Sequence, residues 1–269
     1  PKPNSPKLSR RSFVARTSAG VAAFSVVPSF VVGARGQTPP SGKLNIAAIG
    51  IGGMGRNNIA KLAAAGENIV ALCDVDSGER AQKIIKLYPG AKVYGDYRVM
   101  LEKQKDIDAV IVATPDHTHG VIGMAVIKAK KHVYIQKPLA HSVHEARKLT
   151  EAAREHKVMT QMGNQGHSGE GARQICEWIW SGEIGQVKEV HAWTNRPVWP
   201  QGVEVERPKE TPPVPADLNW DMWIGPAAMR PYHPTYAPNK WRAWWDFGTG
   251  SLGDLGCHRM SAIFKALKL

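Results

Sequence analysis

The sequence predicts an α/β fold in which a doubly wound parallel sheet is followed by an incomplete α+β second domain. Two observations support this prediction. Between residues 44 and 161, short apolar runs alternate with helical patterns, which is typical of a parallel sheet built from βαβ units. After Gly163 the composition changes, because all nine tryptophans of the 269-residue chain lie in its later part. A second domain is therefore expected to begin there.

The individual elements follow from the same patterns. In the second domain we expect a helix over about 170–181, a strand over 187–195, where apolar and polar residues alternate, and a final helix over about 251–267. The Pro-rich stretch 196–239 is expected to be irregular. In the first domain the apolar runs predict six strands, with helices between them, near 44–50, 69–74, 91–94, 107–113, 132–135 and 158–161.

A glycine fingerprint connects the first predicted strand to the first predicted helix. Gly50 allows the tight turn, Gly52 lets the backbone approach a pyrophosphate, and Gly55 lets the helix pack closely on the strand. The pattern indicates a Rossmann-type dinucleotide site with cofactor contacts from Gly50, Gly52, Gly53, Met54 and Gly55. We expect residues 43–163 to form this domain and residues 164–269 to begin the second one.

Context distinguishes this fingerprint from a second copy with the same spacing. Gly248, Gly250 and Gly253 follow a Trp-rich polar run instead of an apolar strand, so they are not expected to bind a dinucleotide. After the first copy, Asp74 ends the second predicted strand. It follows the glycines by about twenty residues, the sequence separation typical of a carboxylate that binds a ribose hydroxyl. This charge favours NAD over a 2′-phosphorylated cofactor, while Arg80 leaves NADP possible.

The charge distribution argues against a nucleic-acid partner. The chain has a net charge of +12, but residues 1–43 carry seven basic residues and no acidic one, so the remaining chain carries only +5. No arginine-rich helix or interleaved aromatic stripe accompanies this mild excess. We therefore expect a small-molecule partner and no nucleic acid.

The basic N-terminal segment has the features of an export signal. Arg10 and Arg11 precede an apolar stretch, 17–32, that is too short and too diluted with polar residues to form a stable membrane span. Residues 1–34 resemble a twin-arginine signal, and 35–42 form a Pro/Gly linker. The expected location is periplasmic or extracytoplasmic, reached in the folded state; a disordered basic tail is the simpler alternative.

Three residues are candidates for catalysis. Lys137 follows the fifth predicted strand, and the carboxyl ends of strands border the ligand crevice in such sheets; a surface lysine before Pro138 is the alternative. Asp254 and His258 stand four apart on the last predicted helix, so the carboxylate can orient an imidazole that acts as a general base, or the two can form an ordinary helix-stabilising pair. Two ligands are too few to predict a metal site.

Polar residues follow two further strands. Thr114 and Pro115 begin a turn after the fourth strand, with Thr118 as the expected helix cap, and the turn's backbone or His119 is expected near the nicotinamide half of the cofactor. Three residues after the sixth strand are expected either to bind substrate hydroxyls or to hold the loop together: Asn164, Gln165 and His167.

Together these motifs resemble the Gfo/Idh/MocA oxidoreductase family, and within it the exported, twin-arginine branch. In the family's order they are the glycine fingerprint, then Gln136-Lys137-Pro138 in place of a Glu-Lys-Pro motif, then Asp254 and His258. The resemblance implies that Lys137 binds the substrate hydroxyl and the nicotinamide ribose, that His258 takes the hydroxyl proton, and that Asp254 holds both substrate and histidine. Gln136, also expected at the cofactor, removes a charge beside Lys137.

The same resemblance implies an activity and an organisation. Family members continue into a large open β-sheet that often mediates oligomers, so we expect this chain to be a fragment of a homo-oligomeric protein. The expected function is NAD(P)-dependent hydride transfer to or from a secondary hydroxyl or keto group of a sugar, glycoside or polyol. Two alternatives remain open: an NAD-dependent glycosidase that oxidises its substrate transiently before elimination, and a non-catalytic nucleotide- or sugar-binding protein.

Overall fold

Six parallel strands form the central sheet in the computed structural model of the chain, which describes residues 42–196 and 206–269. Their order across the sheet is β3-β2-β1-β4-β5-β6, which places a crossover between β1 and β4. All six predicted strands are confirmed, each to within two residues at either end. They are β1 (Asn45–Ile49), β2 (Asn68–Cys73), β3 (Lys92–Tyr94), β4 (Ala109–Val112), β5 (His132–Gln136) and β6 (Thr160–Gly163).

Helices cover both faces of this sheet. Alternate side chains of β1 point to opposite faces: Ile46 and Ala48 pack in the same cluster as Ile59 of the first helix, whereas Ala47 and Ile49 belong to the cluster on the other face. This arrangement confirms the predicted doubly wound, Rossmann-type α/β fold. The helices are α1 (Gly53–Ala64), α2 (Glu79–Ile85), α3 (Tyr97–Lys103), α4 (Asp116–Lys128) and α5 (Val143–His156).

The residues after β6, hereafter the second region, contain short helices. The helix predicted over 170–181 is confirmed with the same bounds, and it ends where Gly182 adopts a left-handed conformation with φ of +83°. The predicted final helix is divided, because its first turn is π-helical. The elements are α6 (Glu170–Ser181), α7 (Trp220–Ile224), a 3₁₀ turn (Lys240–Ala243), the π-helical turn (Leu252–Gly256) and α8 (Cys257–Leu267).

One predicted strand is absent from the described residues. The alternating segment 187–195 has no regular secondary structure and is largely exposed to solvent. Alternation indicates which face of a strand is buried, but a strand is stable only when another strand supplies hydrogen bonds. No strand of the described chain lies beside this segment, so the prediction fails at this point.

An aromatic cluster anchors the second region to the sheet domain. His117, in the first turn of α4, packs against Trp223 and Phe247, with ring centroids 5.4 Å and 5.1 Å away. His117 Nε2 lies 3.1 Å from the backbone oxygen of Trp223, and because a carbonyl oxygen only accepts, Nε2 carries the proton. Burial lowers the pKa of His117 to about 4, so the imidazole is neutral in the folded chain near pH 7.

Several expectations concern residues or boundaries that the structure does not test. The predicted signal, 1–34, and nearly all of the 35–42 linker lie outside the described residues. Within the described part of the chain, no helix is both long and apolar enough to cross a membrane. The expected domain boundary between residues 163 and 164 stays a prediction.

Acidification is expected to weaken the contact between His117 and the aromatic cluster. An unfolded histidine has a pKa near 6.5, so between pH 6.5 and about 4 the unfolded chain binds a proton that the folded chain excludes. The contribution of neutral His117 to the free energy of unfolding is complete above pH 6.5. It decreases by roughly 3 kcal/mol as the pH drops to 4. His117→Gln keeps an N–H donor but cannot titrate, so it should reduce this pH dependence.

The measurement is the free energy of unfolding from denaturant titrations at a series of pH values. The exposed His144, changed to Gln, is the matched control and should leave the dependence as in the unaltered chain. Equal pH dependence in the His117 variant and the unaltered chain would show that another group controls acid stability.

Candidate functional site

A cavity of about 640 Å³ lies at the carboxyl end of the sheet, within the size range of small-molecule and cofactor sites. The glycine loop, Asp74, Thr114 and Lys137 contribute one wall, and residues of the second region, Trp241 among them, contribute the other. Each residue of the first wall follows a parallel strand or ends one. The cavity therefore occupies the position where open α/β sheets bind their ligands.

The glycine loop has the shape of a phosphate cradle. Gly50 has φ of +78°, which places it in the left-handed region, and a Cβ on Gly55 would overlap the carbonyl oxygen of Gly50. At Gly52, by contrast, a Cβ would meet no atom within 4 Å, so this side of the loop is open. Gly53 and Met54 continue the loop and line the same cavity. These features fit a dinucleotide whose pyrophosphate approaches the start of α1.

The second glycine motif has a different role. Thr249 Oγ1 donates a hydrogen bond to Asp116 Oδ2 over 2.8 Å, and His141 Nε2 donates to the carbonyl oxygen of Gly248 over 3.0 Å. A Cβ on Gly248 would overlap the backbone of Arg242. The motif thus packs the second region against the first domain.

Asp74 supports the glycine loop as well as lining the cavity. Its Oδ2 accepts a hydrogen bond from Ile51 N (2.9 Å), and its Oδ1 accepts one from Asp76 N (3.0 Å). Burial raises the pKa of this carboxyl, and these backbone hydrogen bonds oppose that shift. Each oxygen keeps a second lone pair, so the carboxylate can still accept from a ribose hydroxyl. The support of the loop was not evident from the sequence.

Lys137 and Asp254 form a buried ion pair. Lys137 Nζ lies 2.6 Å from Asp254 Oδ1 and 2.8 Å from the Asp254 carbonyl oxygen. The side chains are 12% and 7% exposed, so the attraction between the charges is weakly screened by solvent. An ammonium has three donor hydrogens, and Asp254 accepts two of them, which leaves one for a ligand in the cavity. This geometry disfavours the alternative of a surface lysine.

His258 is oriented by a backbone carbonyl. Its Nδ1 lies 3.1 Å from the carbonyl oxygen of Gln165, which can only accept, so in the neutral imidazole Nδ1 donates and Nε2 is free to take a proton. Asp254 was expected to provide this orientation, but its carboxylate is bound to Lys137. The π-helical turn that contains Asp254 departs from the α-helical repeat on which the expected pairing depended.

Buried polar atoms near this ion pair have no hydrogen-bond partner among the described residues. They are Gln136 Nε2 and Asp254 Oδ2. Leaving such an atom without a partner costs about 1–3 kcal/mol, so an arrangement of this kind favours a polar ligand. Gln165 Nε2 donates to Gln136 Oε1 over 3.1 Å, which connects the loop after β6 to the end of β5.

The turn after β4 differs in part from expectation. Thr114 and Pro115 line the cavity, but His119 is 1% exposed and its two ring nitrogens lie 2.7 Å and 2.9 Å from the carbonyl oxygens of Pro138 and Thr114. Burial lowers the pKa of His119, so the neutral ring has one N–H and donates to only one of these oxygens. The ring is buried between the two loops and is not among the residues that line the cavity. Thr118 lies inside the first turn of α4 and is not its cap, because the chain already enters the helix at Pro115.

Two of the expected substrate residues lie elsewhere. Asn164 and His167 line a separate, shallower opening beside Phe264. Asn164 Nδ2 donates to the carbonyl oxygen of Cys257 over 2.9 Å, and the His167 ring contacts the Ser261 hydroxyl. The structure thus brings only Gln165 of the three close to Gln136 and the main cavity, and the other two connect the loop to α8.

Sequence reasoning also missed residues of the second wall. Asp217 and Leu218 line the cavity but come from the Pro-rich stretch. An irregular segment has no periodicity that indicates which side chains face a ligand. The only available signal was the concentration of tryptophans after Gly163.

Two family models match the chain in sequence order. Residues 44–164 match the Gfo/Idh/MocA oxidoreductase family model for a NAD-binding Rossmann fold. Residues 185–268 match the model for the C-terminal α/β domain of that oxidoreductase family. The two matches together include most of the sequence.

Curated relatives match a little more than half of the chain. Inositol 2-dehydrogenase of Salmonella paratyphi B is 33% identical over 146 residues, which cover 53% of this chain and 43% of that protein. The Serratia proteamaculans inositol 2-dehydrogenase is 32% identical over 157 residues, covering 57% and 46%. The chain thus matches less than half the length of either relative.

A solved structure has the same fold. The myo-inositol 2-dehydrogenase of Lactobacillus plantarum gives a TM-score of 0.50 at 23% identity, over 54% of this chain and 43% of that one. The structural likeness concerns the fold, and the family assignment follows from the two family models. This chain belongs to the Gfo/Idh/MocA oxidoreductase family, and residues 44–164 match that family's NAD-binding Rossmann fold.

Proposed function

We propose that the chain is the cofactor-binding part, with the catalytic residues, of an NAD-dependent oxidoreductase that transfers a hydride to or from a secondary hydroxyl or keto group of a sugar, glycoside or polyol. One observation carries this proposal: the buried Lys137–Asp254 pair lies where a glycine cradle, the end of β5 and the second region meet around one cavity. Lys137 lines this cavity although its charge is already paired, which is the arrangement expected of a lysine that contacts a ligand.

The cradle residues would hold the cofactor. The open side of Gly52 and the start of α1 suit the pyrophosphate, and the Asp74 carboxylate suits a ribose hydroxyl. Bound NAD supplies the hydride acceptor at its nicotinamide ring. Thr114 and Lys137, which lie on the same wall after β4 and β5, would border that ring.

Lys137 would position the reacting oxygen. Asp254 holds the ammonium in place through two contacts, so the remaining hydrogen can be donated to the substrate oxygen without a large loss of side-chain entropy. A fixed positive charge stabilises the negative charge that develops on this oxygen as its proton leaves. His258 Nε2, the ring nitrogen left unprotonated by the Gln165 contact, would accept that proton.

Three observations support a polyhydroxylated substrate. Gln136 lines the cavity, and its buried Nε2 has no partner among the described residues, so it offers a donor to a hydroxyl group. Trp241 lies on the cavity wall with one ring face covered by Arg242, so the remaining part of the indole is available to contact the apolar face of a sugar. The relatives named inositol 2-dehydrogenase act, by their names, on a cyclic polyol.

The direct test mixes the purified chain with NAD and a panel of cyclic polyols and aldoses, beginning with myo-inositol, and follows NADH by absorbance. Export by the twin-arginine route and assembly into a homo-oligomer are further proposals that this experiment does not address. They rest on the N-terminal sequence and on the family resemblance.

Gly52→Ala is expected to weaken NADH binding without unfolding the chain. Gly52 has φ of −76° and ψ of −177°, which alanine adopts readily, and no protein atom lies within 4 Å of the added methyl group. The methyl would instead occupy the space that a pyrophosphate needs. We expect the Kd for NADH, from fluorescence titration, to rise at least tenfold, or about 1.4 kcal/mol.

Gly171→Ala is the matched control, because Gly171 also has open space around its Cα but lies on α6, outside the cavity. It should leave NADH affinity unchanged. Unaltered NADH affinity in the Gly52 variant would contradict the proposed cradle.

Lys137→Met is expected to reduce kcat by about 10²–10³-fold, since it removes a donor aimed at developing charge. It also leaves the Asp254 carboxylate buried without its partner, which costs about 3–5 kcal/mol of folding stability. The double variant Lys137→Met, Asp254→Asn removes both charges and tests catalysis in a better-folded chain. The measurement is steady-state kinetics on the polyol that is turned over best.

Lys148→Met provides the matched control, because Lys148 is an exposed lysine paired with Glu151 on α5. It should keep full turnover. If the double variant also kept full turnover, the roles proposed for Lys137 and Asp254 would be wrong.

A further inference from the structure

A short segment of the second region lies over the loop between β2 and α2. Ser77 N donates to the carbonyl oxygen of Asp217 over 2.7 Å, and Asn219 N donates to the carbonyl oxygen of Val75 over 2.9 Å. Asp76 and Leu218 form an antiparallel bridge between the same two segments. The backbone of residues 217–219 is therefore fixed beside the end of β2.

The Asp217 side chain faces the start of α2. A Cβ built on Gly78 would overlap Asp217 Oδ2 and would lie 2.9 Å from Asp76 Oδ1. The two carboxylates thus lie on either side of the Gly78 backbone, and both residues line the cavity with Asp74. Three acidic residues from two parts of the chain surround the end of the cavity that follows β2.

Two arginines line the same end, but only one of them has its charge available. Arg98 makes a bidentate contact with Asp96, with its Nη2 2.8 Å from Asp96 Oδ2. Arg80 is exposed and has no such partner among the contacts of the described residues. Acidic charge therefore exceeds available basic charge at this end of the cavity.

We propose that Asp217 is a specificity-determining residue that makes the site reject a 2′-phosphorylated adenosine ribose and so excludes NADP. The inference rests on the proposed cofactor site, in which the ribose of the adenosine half lies at the end of β2. A 2′-phosphate carries up to two negative charges, and the attachment of residues 217–219 to the β2–α2 loop prevents Asp217 from moving away.

Asp74 and Asp217 have different parts in this discrimination. Asp74 already accepts a backbone hydrogen bond at each carboxylate oxygen, so its position is suited to the ribose hydroxyls. Asp217 is exposed at the rim; its backbone oxygen accepts from Ser77, while its carboxylate lies against Gly78 and places its charge at the start of α2. Removing that charge would lower the repulsion that a 2′-phosphate meets at this end of the cavity, which Arg80 also lines.

The test compares the Kd values of NADH and NADPH, by titration calorimetry, for the unaltered chain and for Asp217→Asn and Asp217→Lys. We expect NADPH to bind about tenfold more tightly to Asp217→Asn at low salt, and more tightly still to Asp217→Lys, because unit charges near a protein surface interact strongly at about 4 Å. The Kd of NADH should change less than about threefold, because NADH has no 2′-phosphate for the Asp217 charge to repel.

Glu210→Gln is the matched control, since it removes an exposed carboxylate from the same irregular stretch, outside the cavity. A gain in NADPH affinity restricted to the Asp217 variants supports the inference. The inference is overturned if these variants bind NADPH no better than the unaltered chain, or if Glu210→Gln gives the same gain. If the unaltered chain binds neither nucleotide, the proposed cofactor site itself is wrong.

Discussion

The buried ion pair between Lys137 and Asp254 is the interaction on which the candidate site depends. It joins the end of β5 to the π-helical turn of the second region, across a sequence separation of 117 residues. Moving two charges out of water costs several kcal/mol per ion, and here a 2.6 Å contact and a second hydrogen bond to the Asp254 carbonyl offset that cost. The pair orders the ammonium and leaves one of its hydrogens for a ligand.

Other contacts between the two parts of the chain also start at the carboxyl ends of strands. His117 packs its ring into the aromatic cluster, and His141 Nε2 donates to the carbonyl oxygen of Gly248. The 217–219 segment is attached to the loop after β2. Because every parallel strand ends at the same edge of the sheet, these contacts converge around the main cavity.

The fold of the first domain was largely predictable from the sequence, and the candidate site only in part. Period-two and apolar patterns identified all six strands, because burial in a parallel sheet imposes them locally. The strand expected over 187–195 shows the limit, since alternation says nothing about a pairing partner. Asn164 and His167 followed a strand as expected, yet the structure turns them toward α8, which sequence spacing cannot indicate.

Local spacing along the chain was sufficient to identify the glycine loop, Asp74 after β2, and Lys137, Asp254 and His258 as candidates. Their pairing became visible only in the folded chain: Asp254 contacts Lys137, His258 contacts Gln165, and the segment that contains Asp217 lies beside the end of β2. Such pairings join distant segments through packing and desolvation, and a π-helical turn altered the spacing at Asp254. Local patterns carry no information about these long-range contacts.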